Sequence, residues 1–97
     1  MVKRDRNKYY DENRRNKKAA AFYHSKEWIS IRLTAMIRDN YLCQNCLDVK
    51  RFVNADVVDH TLPISLRWDL RLTLNNLRSL CHACHNAKTA EDKRRYE

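Results

Sequence analysis

Glycine is absent from these 97 residues, and proline occurs once, at Pro63. Average usage would supply about seven glycines in a chain of this length, so the lack is informative. A phosphate-cradling loop or a dinucleotide fingerprint needs glycines at fixed positions, and neither can be built here. Long apolar runs are missing too. The longest is Ala19-Ala20-Ala21-Phe22-Tyr23, far short of a signal-peptide core or a membrane span. The chain is therefore expected to be soluble, unprocessed and cytoplasmic, with no membrane partner.

Acidic residues are in the minority: 12 Asp+Glu stand against 20 Lys+Arg, leaving a net charge of +8. The length fits one domain. A chain this short buries only about 60–65% of its unfolded surface, and 43% of its residues are hydrophobic. Its core would gain from an added staple.

Four cysteines offer one, in two close pairs: Cys43-Gln44-Asn45-Cys46 and Cys81-His82-Ala83-Cys84. Without an export signal, a reducing compartment is expected, and two such pairs read as a four-thiolate zinc site. A tight turn sets two sulfurs about 3.7 Å apart, the edge of a tetrahedron whose Zn–S bonds are near 2.3 Å. Paired disulfides, or free thiols packing as small hydrophobes, are the rival readings.

Residues 1–18 carry eight Lys/Arg and three Asp/Glu, a surplus of +5. Residues 1–21 thus read as a basic N-terminal arm, flexible or marginally helical, ahead of a folded domain over 22–97. Arg14, Arg15, Lys17 and Lys18 are its candidate nucleic-acid contacts, since neutralising phosphates releases counterions. A merely solvating tail is the alternative. No apolar face accompanies the charge, which weighs against a membrane surface.

From Phe22 to Arg38 the pattern is helical, with Ser25 a plausible N-cap. Ile29, Leu33, Met36 and Ile37 recur at the spacing of a buried stripe, extended by Trp28 and Ala35. Trp28 is expected in the core. Asp39-Asn40 should end the helix, Asn taking the left-handed conformation usually left to Gly. Residues 52–60 are β-rich and suit one or two short strands. Residues 61–75 read as a long ordered loop, with Leu62, Ile64 and Leu66 packing inward and Arg67 and Arg71 free to face a ligand. From His82 to about Arg95 nothing breaks a helix.

The order Cys43-x-x-Cys46, Asp59-His60-x-x-Pro63, Asn76-Leu77-x-x-Leu80-Cys81-x-x-Cys84-His85 and Lys88-Thr89 resembles the HNH endonuclease family. More narrowly, it resembles the small HNH proteins encoded by bacteriophages. The resemblance spans about residues 22–90. It implies an α+β fold, the small ββα-metal (His-Me) finger, with a preceding helix and a structural zinc site. It also implies a metal-dependent endonuclease acting on double-stranded DNA, nicking or cutting it to leave 3′-hydroxyl and 5′-phosphate ends.

By that resemblance, Asp59 and His85 ligate a catalytic divalent ion (Mg2+, Mn2+, Ni2+ or Zn2+), and His60 is the general base. Strand neighbours point to opposite faces, so Asp59 and His60 cannot readily exchange roles. Consecutive helical residues lie about 100° apart, so Cys84 can face the zinc while His85 turns to the strand. Asn76, rather than its neighbour Asn75, would hold the loop and the His60 backbone. Lys88, Arg67 and Arg71 are candidate DNA contacts, each with a solvated charge as its alternative. His24 and His82 read as surface residues. A phage setting would place the activity beside the terminase in genome packaging. The rival function is a zinc-clamped nucleic-acid-binding module without cleavage, which would have no need of Asp59, His60 and His85 together.

Family members commonly have Gly after the first cysteine pair. Here Asn45, Leu47 or Asp48 is expected to manage that turn in a strained or left-handed conformation.

Overall fold

A single serine hydroxyl separates the first two helices. Ser25 Oγ donates to the Phe22 carbonyl at 2.6 Å and accepts from the Trp28 N–H at 3.2 Å. It therefore closes one helix and caps the next. The computed structural model describes residues 14–96. Over these, α1 runs through 14–23, α2 through Lys26–Arg38, α3 through Gln44–Asp48 and α4 through His82–Tyr96. The strands β1 (Val57–His60) and β2 (Leu77–Leu80) lie between α3 and α4. The loop joining them holds two 3-10 turns, Trp68–Leu70 and Leu74–Asn76. This is the α+β arrangement expected. The part of the expected arm at 1–13 lies outside the described residues; 14–21 belong to α1, so the 21/22 boundary falls inside a helix.

The strands pair antiparallel, Val57 opposite Leu80 and His60 opposite Leu77. Only Val57–His60 of the β-rich 52–60 segment joins this sheet; Asn54 bridges to Leu42, and Phe52 is exposed. Phe22, Trp28, Ala35, Met36, Val58 and Leu77 form one core cluster. Cys43, Cys46, Leu80 and Cys81 form a second at the other end of the hairpin.

The face of α2 differs from the expected stripe. Trp28, Ala35 and Met36 are buried, but Ile29, Leu33 and Ile37 are 59%, 51% and 58% exposed. Two anchors decide the rotation. Trp28 is the largest apolar side chain on the helix and enters the core. At the other end, Arg38 donates to the Leu74 and Leu77 carbonyls at 2.9 and 2.6 Å. Next to it, Asp39 is buried, accepts the Ser79 N–H at 3.0 Å and pairs with Arg38 at 2.8 Å. Burial works to raise the Asp39 pKa, but the Arg38 and Ser79 bonds outweigh it and hold it below the usual carboxylate range. In the loop, Leu66 is exposed rather than packed inward, while Leu62 and Ile64 are half-buried.

Two helix ends show how the chain manages without glycine. After α2, Asn40 has φ 55°, as expected of it, and Tyr41 follows at φ 58°. Tyr41 N–H returns to the Met36 carbonyl at 2.9 Å, and Asn40 N–H to Ile37 at 3.1 Å. After α3, Arg51 N–H reaches Cys46 O and Lys50 N–H reaches Leu47 O, both at 2.9 Å. Both are Schellman ends, which place the residue after the cap in the left-handed region; at the first, Tyr41 lies there as well. The second differs from expectation: Lys50, at φ 62°, takes that position, whereas Asn45, Leu47 and Asp48 are ordinary residues of α3. The 5→2 and 6→1 bonds require the turn beyond the helix, not within it. A left-handed non-glycine residue costs about 1–2 kcal/mol. Lys50→Gly is therefore expected to stabilise the fold by about 1 kcal/mol, read as a rise in urea midpoint at constant slope.

Candidate active site

Alternation along β1 sends Val58 and His60 towards α2 and leaves Val57 and Asp59 on the opposite side, the burial pattern being half-buried, buried, half-buried, buried. His60 enters an aromatic enclosure. Its ring stacks on Trp28 at 5.0 Å and 24°, with Phe22 and Tyr23 at 6.0 and 6.2 Å. Nε2 lies 3.0 Å from the Arg71 carbonyl. A carbonyl can only accept, so this contact puts the ring proton on Nε2 and leaves a lone pair on Nδ1. Burial pushes the His60 pKa down, against the Arg71 carbonyl and the Asp59 charge, which favour the protonated form. The geometry thus presents a neutral imidazole with one basic nitrogen.

On the other side, Asp59 meets α4. Its Oδ1 lies 3.6 Å from His85 Nε2, and its Oδ2 lies 2.8 Å from Lys88 Nζ. Burial and the charge of Asp59 raise the pKa of Tyr23. Tyr23, Asp59 and His60 line one open cleft of about 310 Å3, together with Pro63, Thr89 and Tyr96.

Asn76 is buried and fastens the chain just after His60. Its side chain accepts the Leu62 N–H at 2.9 Å and donates to the Leu62 carbonyl at 3.1 Å. Its own carbonyl takes the Thr61 N–H at 2.8 Å. Asn75 is exposed.

The four cysteines converge at the far end of the hairpin, with one ligand atom from each lying within 4.8 Å of the others. Cys46 Sγ is 3.9 Å from Cys81 Sγ and 3.7 Å from Cys84 Sγ. These are close to the edges of a tetrahedron around a metal ion with bonds near 2.3 Å. The electrostatics call for a positive charge among them. At Cys43 burial acts upward, but the Cys81 and Cys46 N–H groups and neighbouring thiols bring the thiol down to about 7. Cys84, crowded by Cys81 and then by burial and the other thiols, is pushed up to about 12. A cation held by the four sulfurs would offset the mutual repulsion of thiolates at this spacing. His85 N–H donates to the Cys81 carbonyl at 2.9 Å, so a single helical turn supplies two sulfurs to one site and an imidazole to the other.

The basic candidates divide. Arg14, Arg15, Lys17 and Lys18 are exposed on α1, and Lys18 Nζ lies 4.2 Å over the Trp68 ring. The Arg71 guanidinium lies over the same ring at 4.7 Å, which brings arm and loop together there. Arg67 instead pairs with Asp69 at 2.8 Å on the surface. Lys88, expected at a phosphate, turns inward. His24 is exposed, and His82 is too, its N–H donating to Asp56 Oδ2 at 2.9 Å. Spacing gives no sign of Trp28 as the stacking partner of His60. Asp92 is a further site residue outside the sequence motif; it lies on the same α4 face one turn beyond Lys88, and helical arithmetic is the signal that points to it.

The family model described as HNH endonuclease matches residues 43–91. A probable HNH endonuclease of Lactococcus phage SK1 is 34% identical over 77 residues, covering 77% of this chain and 82% of the relative. The crystal structure of the deep-sea thermophilic bacteriophage GVE2 HNH endonuclease with manganese ion superposes with a TM-score of 0.86 at 56% identity. That match covers 93% of this chain and 98% of the other. With the family model reaching from the first cysteine pair past His85 and Lys88, and a solved relative matched over nearly its whole length, this chain belongs to the HNH endonucleases and is a nuclease.

Proposed function

We propose that the protein hydrolyses phosphodiester bonds of double-stranded DNA, with His60 as general base, a catalytic divalent ion held by Asp59 and His85, and a structural zinc held by Cys43, Cys46, Cys81 and Cys84. The observation that carries this reading is the division of labour across β1. His60, with one imidazole nitrogen free, and Asp59, whose carboxylate meets His85 at 3.6 Å, are adjacent residues that line one cleft.

One carboxylate oxygen and one imidazole nitrogen 3.6 Å apart suit Mg2+, Mn2+, Ni2+ or Zn2+, with positions left over for phosphate and water. Such an ion, when bound, supplies Lewis-acid stabilisation of charge on the phosphate oxygens. His60 Nδ1 takes a proton from a water as its oxygen bonds to phosphorus. The bond from phosphorus to the 3′ oxygen breaks, and that oxygen leaves as a hydroxyl after taking up a proton from solvent. Asn76 keeps the chain after His60 in place through Leu62 and Thr61. Arg71 serves twice, its carbonyl orienting His60 and its guanidinium joining Lys18 over Trp68. Arg14, Arg15, Lys17 and Lys18 supply counterion-releasing contacts to the duplex, and Arg67 adds to them. Both named relatives are phage proteins, which favours work beside a phage terminase in genome packaging, in the cytoplasm of an infected bacterium.

The test is relaxation of supercoiled plasmid with Mg2+, Mn2+, Ni2+ or a chelator. Cleavage should require a divalent ion and disappear in Asp59→Ala, whose circular dichroism should stay native. Equal cleavage in the chelator, or by Asp59→Ala, would overturn the assignment.

A further inference from the structure

Lys88 is held on three sides by oxygen. Its Nζ lies 2.8 Å from Asp59 Oδ2 and 2.5 Å from Asp92 Oδ2, and it donates to the His60 carbonyl at 2.9 Å. Two of these contacts are hydrogen bonds, to Asp92 and the His60 carbonyl; the third is an ion pair, Asp59 Oδ2 being a buried oxygen without a hydrogen-bond partner. Together they turn the ammonium inward, towards Asp59. The side chain is 21% exposed and that of Asp59 15%. Burial alone would lower the Lys88 pKa, but the two carboxylates outweigh it and hold the group charged.

The Asp59 carboxylate is therefore shared. One oxygen faces His85 and the other already carries a positive charge. We propose that Lys88 is a resident counter-ion of Asp59 that competes electrostatically with the divalent ion and keeps metal affinity low until a substrate phosphate arrives. The proposal rests on reading Asp59 and His85 as the metal ligands. A cation on the second oxygen of a ligand carboxylate reduces the negative potential that draws a divalent ion to the first. Asp92 keeps the ammonium from swinging away and offsets part of its charge. A phosphate in the cleft adds negative charge beside both cations, so metal and DNA each strengthen the binding of the other by the same factor.

The experiment titrates Mn2+ into the full chain without DNA, following free Mn2+ by electron paramagnetic resonance, with thermal melting alongside. Lys88→Met should bind Mn2+ about tenfold more tightly, the size of a neighbouring-charge effect of about one pKa unit. Mn2+ should also raise its melting temperature more than that of the unaltered protein. Lys88→Arg, which keeps the charge, should bind like the unaltered protein. Lys88→Gln gives a second neutral variant should the methionine fold poorly. Weaker Mn2+ binding in the neutral variants would make Lys88 merely a prop for Asp59 and overturn the proposal. Unchanged Mn2+ binding with weaker DNA binding would make it a phosphate contact and would overturn the proposal equally. Asp59→Ala separates the two levels. If it binds Mn2+ as well as the unaltered protein, the metal-site reading fails and the proposal with it. If it loses Mn2+ while Lys88→Met shows no gain, only the proposal falls.

Discussion

Cys81→Ser is expected to lose the structural ion and, with it, the fold. Structural zinc in small domains contributes an apparent 10–16 kcal/mol or so at neutral pH, while the net stability of a domain is only about 5–15 kcal/mol. Here the dependence is compounded by what else the sulfurs do. Cys43, Cys46 and Cys81 are themselves the buried residues of the second core cluster, packed on Leu80. Cys81 also joins β2 to α4, so loosening it releases the helix that carries His85 and Lys88. Zinc content by elemental analysis should fall in parallel with far-ultraviolet helicity and cooperative melting. Retention of one zinc per chain, with a native melt, would remove the four-thiolate site.

His60→Ala has the other large effect, and it falls on rate. Loss of a positioned general base typically costs about 10^2–10^4-fold, and plasmid cleavage with Mn2+ is expected to drop by that range. The substitution also empties a place in the aromatic enclosure of Phe22, Tyr23 and Trp28, so some stability should be lost with it. Melting followed by circular dichroism separates the two effects, because the rate loss should persist far below the midpoint, where the chain is folded. Cleavage by His60→Ala at the rate of the unaltered protein would end the general-base assignment.

The parts of this site legible in the sequence are those governed by short spacing. Two cysteines three apart, an Asp-His step on a strand, and a Cys-His step on a helix fix their relations locally, because strand and helix periods dictate which faces adjacent residues take. Ser25 as a cap and Asn40 as a left-handed residue are legible for the same reason. What stays hidden depends on partners far along the chain. The rotation of α2 follows from Arg38 and Asp39 reaching β2, and no spacing within Lys26–Arg38 reveals it. Trp28 reads as core from its size alone; that it packs face to face with the imidazole follows only from the sheet lying against α2. Lys88 looks like a free basic side chain until the fold brings Asp59, 29 positions earlier in the sequence, and Asp92 against it. Lys50 escapes a reading by residue type because a helix end places its left-handed residue by hydrogen-bond closure.

The two cysteine pairs stand at the ends of the stretch that holds Asp59, His60 and Asn76. Cys46 and Cys81 are 35 positions apart, so an ion shared by them would tie off a loop containing Asp59, His60 and Asn76. Closing a loop of that length withdraws roughly 4 kcal/mol of freedom from the unfolded chain. It also fixes an order of events during synthesis. Asp59, His60 and Asn76 leave the ribosome first, yet the knot that holds them cannot be drawn until Cys81 and Cys84 follow, and His85 comes immediately after. On the proposed reading, a nascent or metal-starved chain should not cut DNA, and activity should begin only when the last helix has emerged and the ion has been captured.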